Sequence, residues 1–143
     1  MELTEKQIKS IAEDLECGMN VYVHKKTMEI KAIINFNSNW DVDPEPWQDD
    51  IDEIEENYDM YLSFDCMNSH ESFRVMEEFV ETVEDKELKM KLELGLSLSK
   101  PFRNFKDIID DAGEYREKWF EFKNMKYIEY VKEQLSFFNK DNV

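Results

Sequence analysis

The sequence predicts an α+β, mainly helical fold, a small three-stranded antiparallel sheet with covering helices and a C-terminal helical bundle. Three observations predict it. Only three glycines and three prolines occur in 143 residues, so tight turns and left-handed backbone positions are scarce and long helices are favoured over a many-stranded sandwich. Three short runs of strand formers all lie before residue 65. From residue 69 onward, apolar residues recur at helical spacing almost to the end. Length predicts one domain over residues 1–143, with helix, hairpin, acidic helix and third strand in 1–68 and a helical part in 69–143.

Thr4 and Gln7 have capping-box spacing, in which a hydroxyl and an amide satisfy free N–H groups at a helix start. Ile8, Ile11, Ala12 and Leu15 then form an amphipathic stripe, and Gly18 suits the left-handed position that ends the helix. Asn20–His24 and Glu29–Asn35 are strand-like runs with Lys25–Met28 between them, a β-hairpin whose turn lacks glycine. Residues 36–46 are a polar connection containing Pro44 and Pro46. Trp47, Ile51, Ile54 and Tyr58 then mark one side of an otherwise acidic helix. Met60, Leu62 and Phe64 alternate with Tyr61 and Ser63 as a third strand.

Ser69 is a candidate N-cap. Behind it Phe73, Met76, Phe79, Val80 and Val83 form a helical stripe. Asp85 caps a further helix with Leu88, Leu92 and Leu96 inward. Pro101 opens a short helix carrying Phe102, Phe105 and Ile109 and stopping near Gly113. The last helix runs from about Glu114 to Asn139. Its expected buried residues are Trp119, Phe122, Ile128, Val131, Leu135 and Phe138.

The net charge is −16, from 34 Asp and Glu against 18 Lys and Arg. It is concentrated: residues 41–73 carry twelve acids and no Lys or Arg. Such a surface disfavours nucleic acid and anionic membranes as partners. No apolar run is long enough for a membrane span and the N-terminus lacks a signal-peptide core, so a cytoplasmic location is expected. Two cysteines, Cys17 and Cys66, fit a reducing compartment.

The run Ser69-His70-Glu71-Ser72-Phe73-Arg74-Val75-Met76-Glu77-Glu78-Phe79 is followed by Glu81-Thr82-Val83. Lys100-Pro101-Phe102-Arg103-Asn104-Phe105-Lys106-Asp107 then leads to Trp119-Phe120-Glu121-Phe122. Together these resemble uncharacterised protein family 0158, small bacterial proteins of unknown function. The N-terminal helix and hairpin are similar too, so the resemblance spans most of the chain. The chain departs from the family at Met28, where such sequences often carry a turn glycine. The resemblance implies no catalytic residue, cofactor or substrate.

Chemical motifs are few. His70 stands four residues after Cys66 with Asp65 and Glu71 nearby, but zinc needs three or four ligands and no second Cys/His pair exists, so no metal site is assigned. Glycine occurs only at 18, 95 and 113, which excludes a Gly-rich phosphate loop. No nucleophile motif occurs, no catalytic residue is assignable and no cofactor is called for. Asp49, Asp50, Asp52, Glu53, Glu55 and Glu56 form a candidate acidic interaction face. It reads as a solvated helix side, a docking face for a basic protein, a divalent-cation site, or the partner of Lys100, Arg103 and Lys106. Arg74, Lys100, Arg103 and Lys106 form a basic-aromatic patch with Phe102 and Phe105, able to bind phosphate or to pair with acids over a phenylalanine core. The last helix, with Trp119, Phe120, Phe122 and Tyr127 beyond one stripe, is a candidate homodimer element.

The functional expectation is a non-enzymatic acidic binding or regulatory protein acting through protein–protein contacts. The alternative is an enzyme using carboxylates in a cleft, with or without a metal, which predicts a deep pocket holding Asp or Glu beside His70.

Overall fold

A computed structural model of the chain describes residues 2–34 and 43–141, residues 140 and 141 by backbone alone. The fold is α+β and mainly helical, with a three-stranded antiparallel sheet, as expected. Two compact units are present: Met1–Cys66 with Tyr127–Val143, and Met67–Lys126.

In the first unit, helix α1 (Glu5–Glu16) opens on the Thr4/Gln7 capping box and ends before Gly18, whose φ is +84°. Strands β1 (Met19–His24), β2 (Ile30–Ile34) and β3 (Tyr61–Phe64) form a sheet in the order β2-β1-β3, with Val21 opposite both Ala32 and Phe64. Strand alternation gives the sheet two distinct faces. Val21, Val23, Leu62 and Phe64 are buried on one side, and α1 packs on β1 with Ile8, Ile11, Ala12 and Leu15 buried. On the other face Tyr22, Ile33 and Tyr61 meet Trp47, Ile51 and Ile54 of the acidic segment, where a 3₁₀ turn (Glu45–Trp47) leads into helix α2 (Gln48–Glu56).

Two expectations are corrected here. Tyr58 does not extend the α2 stripe: the helix stops at Glu56, a 3₁₀ turn covers Tyr58–Met60, and Tyr58 is 75% exposed. Carboxylates crowded at the negative end of the helix dipole, with no basic residue there, oppose its continuation. Met60 lies in that turn, and β3 begins at Tyr61, which is buried against α2. The expected strand end at Asn35 and the connection up to residue 42 lie outside the described residues.

The second unit holds α3 (Ser69–Thr82), α4 (Lys86–Ser97), α5 (Pro101–Asp110) and the first part of α6 (Glu114–Asp141). The cap of α3 is Asn68 rather than Ser69: its side chain accepts from Glu71 N at 2.8 Å, and Glu71 supplies the reciprocal bond. Only from position 68 does an acid fall three residues on, as a capping box requires. Met76, Phe79, Val80, Val83, Leu92, Phe105 and Ile109 form the core of this unit. Trp119 joins it with ring centroids 4.7 Å from Phe105 and 5.2 Å from Phe79, edge-on in both cases. Gly95 is buried where α4 meets α5. Asn104 staples the same junction, donating to Gly95 O at 3.0 Å and Ser99 O at 2.9 Å.

The last helix spans the predicted stretch. Val131 and Leu135 are buried as expected, but so is Tyr127, which the stripe omits. Within the first unit, Phe138 meets Phe64 edge-on at 5.6 Å and Lys132 reaches Glu5 at 3.5 Å.

Candidate functional site

The six acids proposed as one face of α2 divide into two sets. Asp50 and Glu53, three apart and thus on one side of the helix, turn toward the sheet. Asp50 Oδ1 accepts a 2.9 Å bond from Lys31 Nζ on β2, and Glu29 Oε1 lies 3.6 Å from the same ammonium. The Lys31 side chain is only 14% exposed. Its pKa is held above the ordinary lysine value, first by the hydrogen bond to Asp50, with burial opposing. Glu53 Oε1 accepts from the Tyr61 hydroxyl at 3.3 Å and from Asn57 Nδ2 at 3.1 Å. Burial, reinforced by Glu53, pushes the Tyr61 phenol up. Asp49, Asp52, Glu55 and Glu56 are exposed, and Asp52 accepts from Gln48 one turn earlier.

Within the first unit, Lys31 is therefore the cation that pairs with the acidic segment. One signal was available for it. Lys31 sits in the apolar run Ile30-Lys31-Ala32-Ile33-Ile34, on the same strand face as Ile33, so an ammonium there needs an anion on whatever covers the sheet.

Arg74, Lys100, Arg103 and Lys106 are all exposed, and none makes an ion pair among the described residues. The structure joins their elements through Phe73 of α3 and Phe102 of α5, edge-on at 6.3 Å. The expected phenylalanine core beneath them is half right, since Phe105 is buried but Phe102 is 43% exposed. Lys100 precedes Pro101 with φ +58°, a left-handed conformation uncommon outside glycine and asparagine.

His24 and His70 lie in different units. His24 Nδ1 accepts the backbone N–H groups of Lys26 and Thr27, each at 3.1 Å, and so caps the hairpin turn. His70 is exposed in the first turn of α3. Cys66 Sγ donates to Met19 O at 3.1 Å, and burial pushes its thiol pKa up. Among the described residues, no three His, Cys, Asp or Glu side chains converge as metal ligands.

A cleft of about 400 Å³ lies in the second unit, where Asp85, the N-cap of α4, with Glu87 and Lys91 of α4 faces Asp111 at the end of α5 and Glu114 and Tyr115 at the start of α6. It contains four carboxylates and no histidine. Asp85 is occupied in capping Leu88 N at 3.1 Å, while Glu87 pairs with Lys91 and Glu114 with Lys118. Among the described residues no helix is long and apolar enough to cross a membrane.

Compared with known proteins, the chain matches the model of an uncharacterised protein family (UPF0158) over residues 32–141. No curated protein and no solved structure matches it.

Proposed function

Since the chain belongs to this uncharacterised family, whose description lends no activity, we propose that it is a non-enzymatic cytoplasmic binding or regulatory protein that presents α2 to a basic protein partner. One observation carries this reading. The inward acids Asp50 and Glu53 fasten the helix to the sheet, and the outward acids Asp49, Asp52, Glu55 and Glu56 stay in solvent. A helix held from behind offers its free carboxylates in fixed register. That arrangement favours electrostatic steering and lowers the ordering cost of binding. The test is a pull-down from a bacterial lysate at low and high salt, with the intact chain and with D49N/D52N/E55Q/E56Q. A protein partner retained at low salt, released at high salt and lost with the neutralised chain is expected. Absence of any salt-sensitive partner, or its retention by the neutralised chain, defeats the proposal.

A carboxylate-based enzyme is the second reading, favoured by the 400 Å³ cleft with Asp85, Glu87, Asp111 and Glu114 on its walls. It requires that Asp111→Asn abolish a turnover measurable with the intact chain. The α2 reading predicts that the same substitution leaves partner capture unchanged.

A further inference from the structure

A smaller pocket of about 260 Å³ opens in the second unit, where the end of α3 meets the first part of α6. Phe79, Tyr115 and Phe122 form its apolar wall, and Thr82, Glu84 and Lys118 supply its polar groups. Lys118 and Phe122 follow Tyr115 by three and seven residues, so all three lie along one side of α6. Phe79 and Phe122 meet with ring centroids 5.4 Å apart. Phe79 is buried, and Tyr115 and Phe122 pack against the same core, so the wall is fixed.

The polar groups are not equally engaged. Thr82 Oγ1 donates to Phe79 O at 2.6 Å. Glu84, between α3 and α4, is exposed, and its side chain makes no hydrogen bond or ion pair among the described residues. Lys118 Nζ stands 4.7 Å from the Tyr115 ring centroid and reaches Glu114 Oε1 only at 3.9 Å, both side chains being more than half exposed. One anion and one cation thus line an aromatic pocket without pairing with each other.

We infer that this pocket binds a free aromatic α-amino acid, its ring against Phe79, Tyr115 and Phe122, its ammonium on Glu84 and its carboxylate on Lys118. Each part of the ligand answers a lining group. An aromatic wall suits an aromatic ring packed edge-on or offset. The volume falls below the roughly 300 Å³ at which pockets for drug-sized ligands begin, which fits a single amino acid. The two charges discriminate further. An aryl amine leaves Lys118 unserved, an aryl acid meets the Glu84 carboxylate, and a residue inside a peptide carries neither charge. Tyr115 also lines the acidic cleft described above, so a ligand of net negative charge is disfavoured and a zwitterion is not. The inference does not depend on the proposed role of α2.

The test is a titration of the isotope-labelled full chain followed by its amide NMR signals. The probes are L-phenylalanine, phenethylamine, 3-phenylpropionate, N-acetyl-L-phenylalanine amide and glycine. L-Phenylalanine should bind saturably, shift the signals of Thr82, Glu84, Tyr115 and Lys118, and bind about tenfold more tightly than any other probe. Glu84→Gln should weaken L-phenylalanine about tenfold and leave 3-phenylpropionate no weaker. Lys118→Met should weaken L-phenylalanine about tenfold and leave phenethylamine no weaker. Both positions are exposed, and unchanged signals away from the pocket show that each variant is folded. Variants that weaken every probe alike overturn the inference, since a merely structural role does that. So does the absence of a saturable shift with L-phenylalanine, or equal affinity for any of the other four probes.

Discussion

Lys31 Nζ lies 2.9 Å from Asp50 Oδ1, fastening edge strand β2 to the acidic helix. The ammonium is mostly buried while the carboxylate is 44% exposed, so the two partners are unequal. Removing the carboxylate leaves a cation in a poorly hydrated place; removing the cation leaves an acid that water can serve.

Asp50→Ala should therefore cost about 1–2 kcal/mol, and Lys31→Met, which keeps the packed stem, less than about 1 kcal/mol. Because the folded pKa of Lys31 is raised, its contribution is fully present below the ordinary lysine value of about 10.4 and fades as pH rises through the folded one. The gap between wild type and Lys31→Met should thus narrow above about pH 10. Urea unfolding at neutral and alkaline pH checks both statements. Equal midpoints for wild type and Asp50→Ala at pH 8 would sink the first.

The hairpin turn rests on His24 and Met28. Met28 has φ +63°, where an L-residue is strained and glycine is not. Met28→Gly should stabilise the chain by about 0.5–1 kcal/mol despite the extra freedom of the unfolded state. His24→Ala should lose about 1 kcal/mol by leaving the Lys26 and Thr27 N–H groups without their acceptor, and His24→Asn should restore most of it. Thermal melts that rank His24→Asn with His24→Ala would contradict the turn-capping role.

Asp14 lies in the last turn of α1, which contains no basic residue. Burial first, then Glu13, raises its pKa. A raised folded pKa means stability that is full below the unfolded value of about 3.9 and is lost as pH climbs through the folded value. At pH 7 the carboxylate is a burden, added to its position at the negative end of the helix dipole. Asp14→Asn should stabilise by about 0.3–1 kcal/mol at pH 7, and the gain should vanish below about pH 4. Denaturant titrations at the two pH values show whether the gain follows ionisation.

Much of this fold was legible because its signals are local. Thr4 and Gln7, Asp85, Pro101 and most of the apolar stripe residues act within four residues, and these lie where the spacing placed them. Even Met28 was visible as the last residue of a turn that lacks glycine. What spacing could not supply depended on partners far along the chain. Asp50 finds Lys31 nineteen residues away, and which two of six acids turn inward depends on where α2 lies on the sheet. Tyr58 kept the helical phase of Trp47, Ile51 and Ile54, but electrostatics at the end of α2 unwound the helix first. Phe102 kept the phase of Phe105 and Ile109, yet at the first turn of α5 it meets only Phe73 edge-on and stays half in solvent. The basic patch was readable as residues close in sequence; the exposure of Met90, Leu94 and Leu98 was not, because they are indistinguishable from core residues until neighbouring helices are placed.

Gly95 shows how close that helix packing is. A Cβ there would stand 3.0 Å from Ile108 Cδ1 and 3.3 Å from Asn104 Cβ. In isolation Gly→Ala in a helix gains about 1 kcal/mol. Here the methyl group must displace an isoleucine tip and press on Asn104, whose amide also bonds Gly95 O and Ser99 O. The isoleucine can rotate. Asn104 cannot retreat without straining the turn that its two bonds hold. Overpacking of this kind costs about 1–3 kcal/mol, so Gly95→Ala should be net destabilising by about 1 kcal/mol. Ile108→Val in the Gly95→Ala background removes the nearer clash and should cost less than Ile108→Val alone. A double-mutant cycle of urea midpoints measures that coupling. A stabilised Gly95→Ala single variant, or additivity of the two changes, would show that α5 yields where its contacts say it is held.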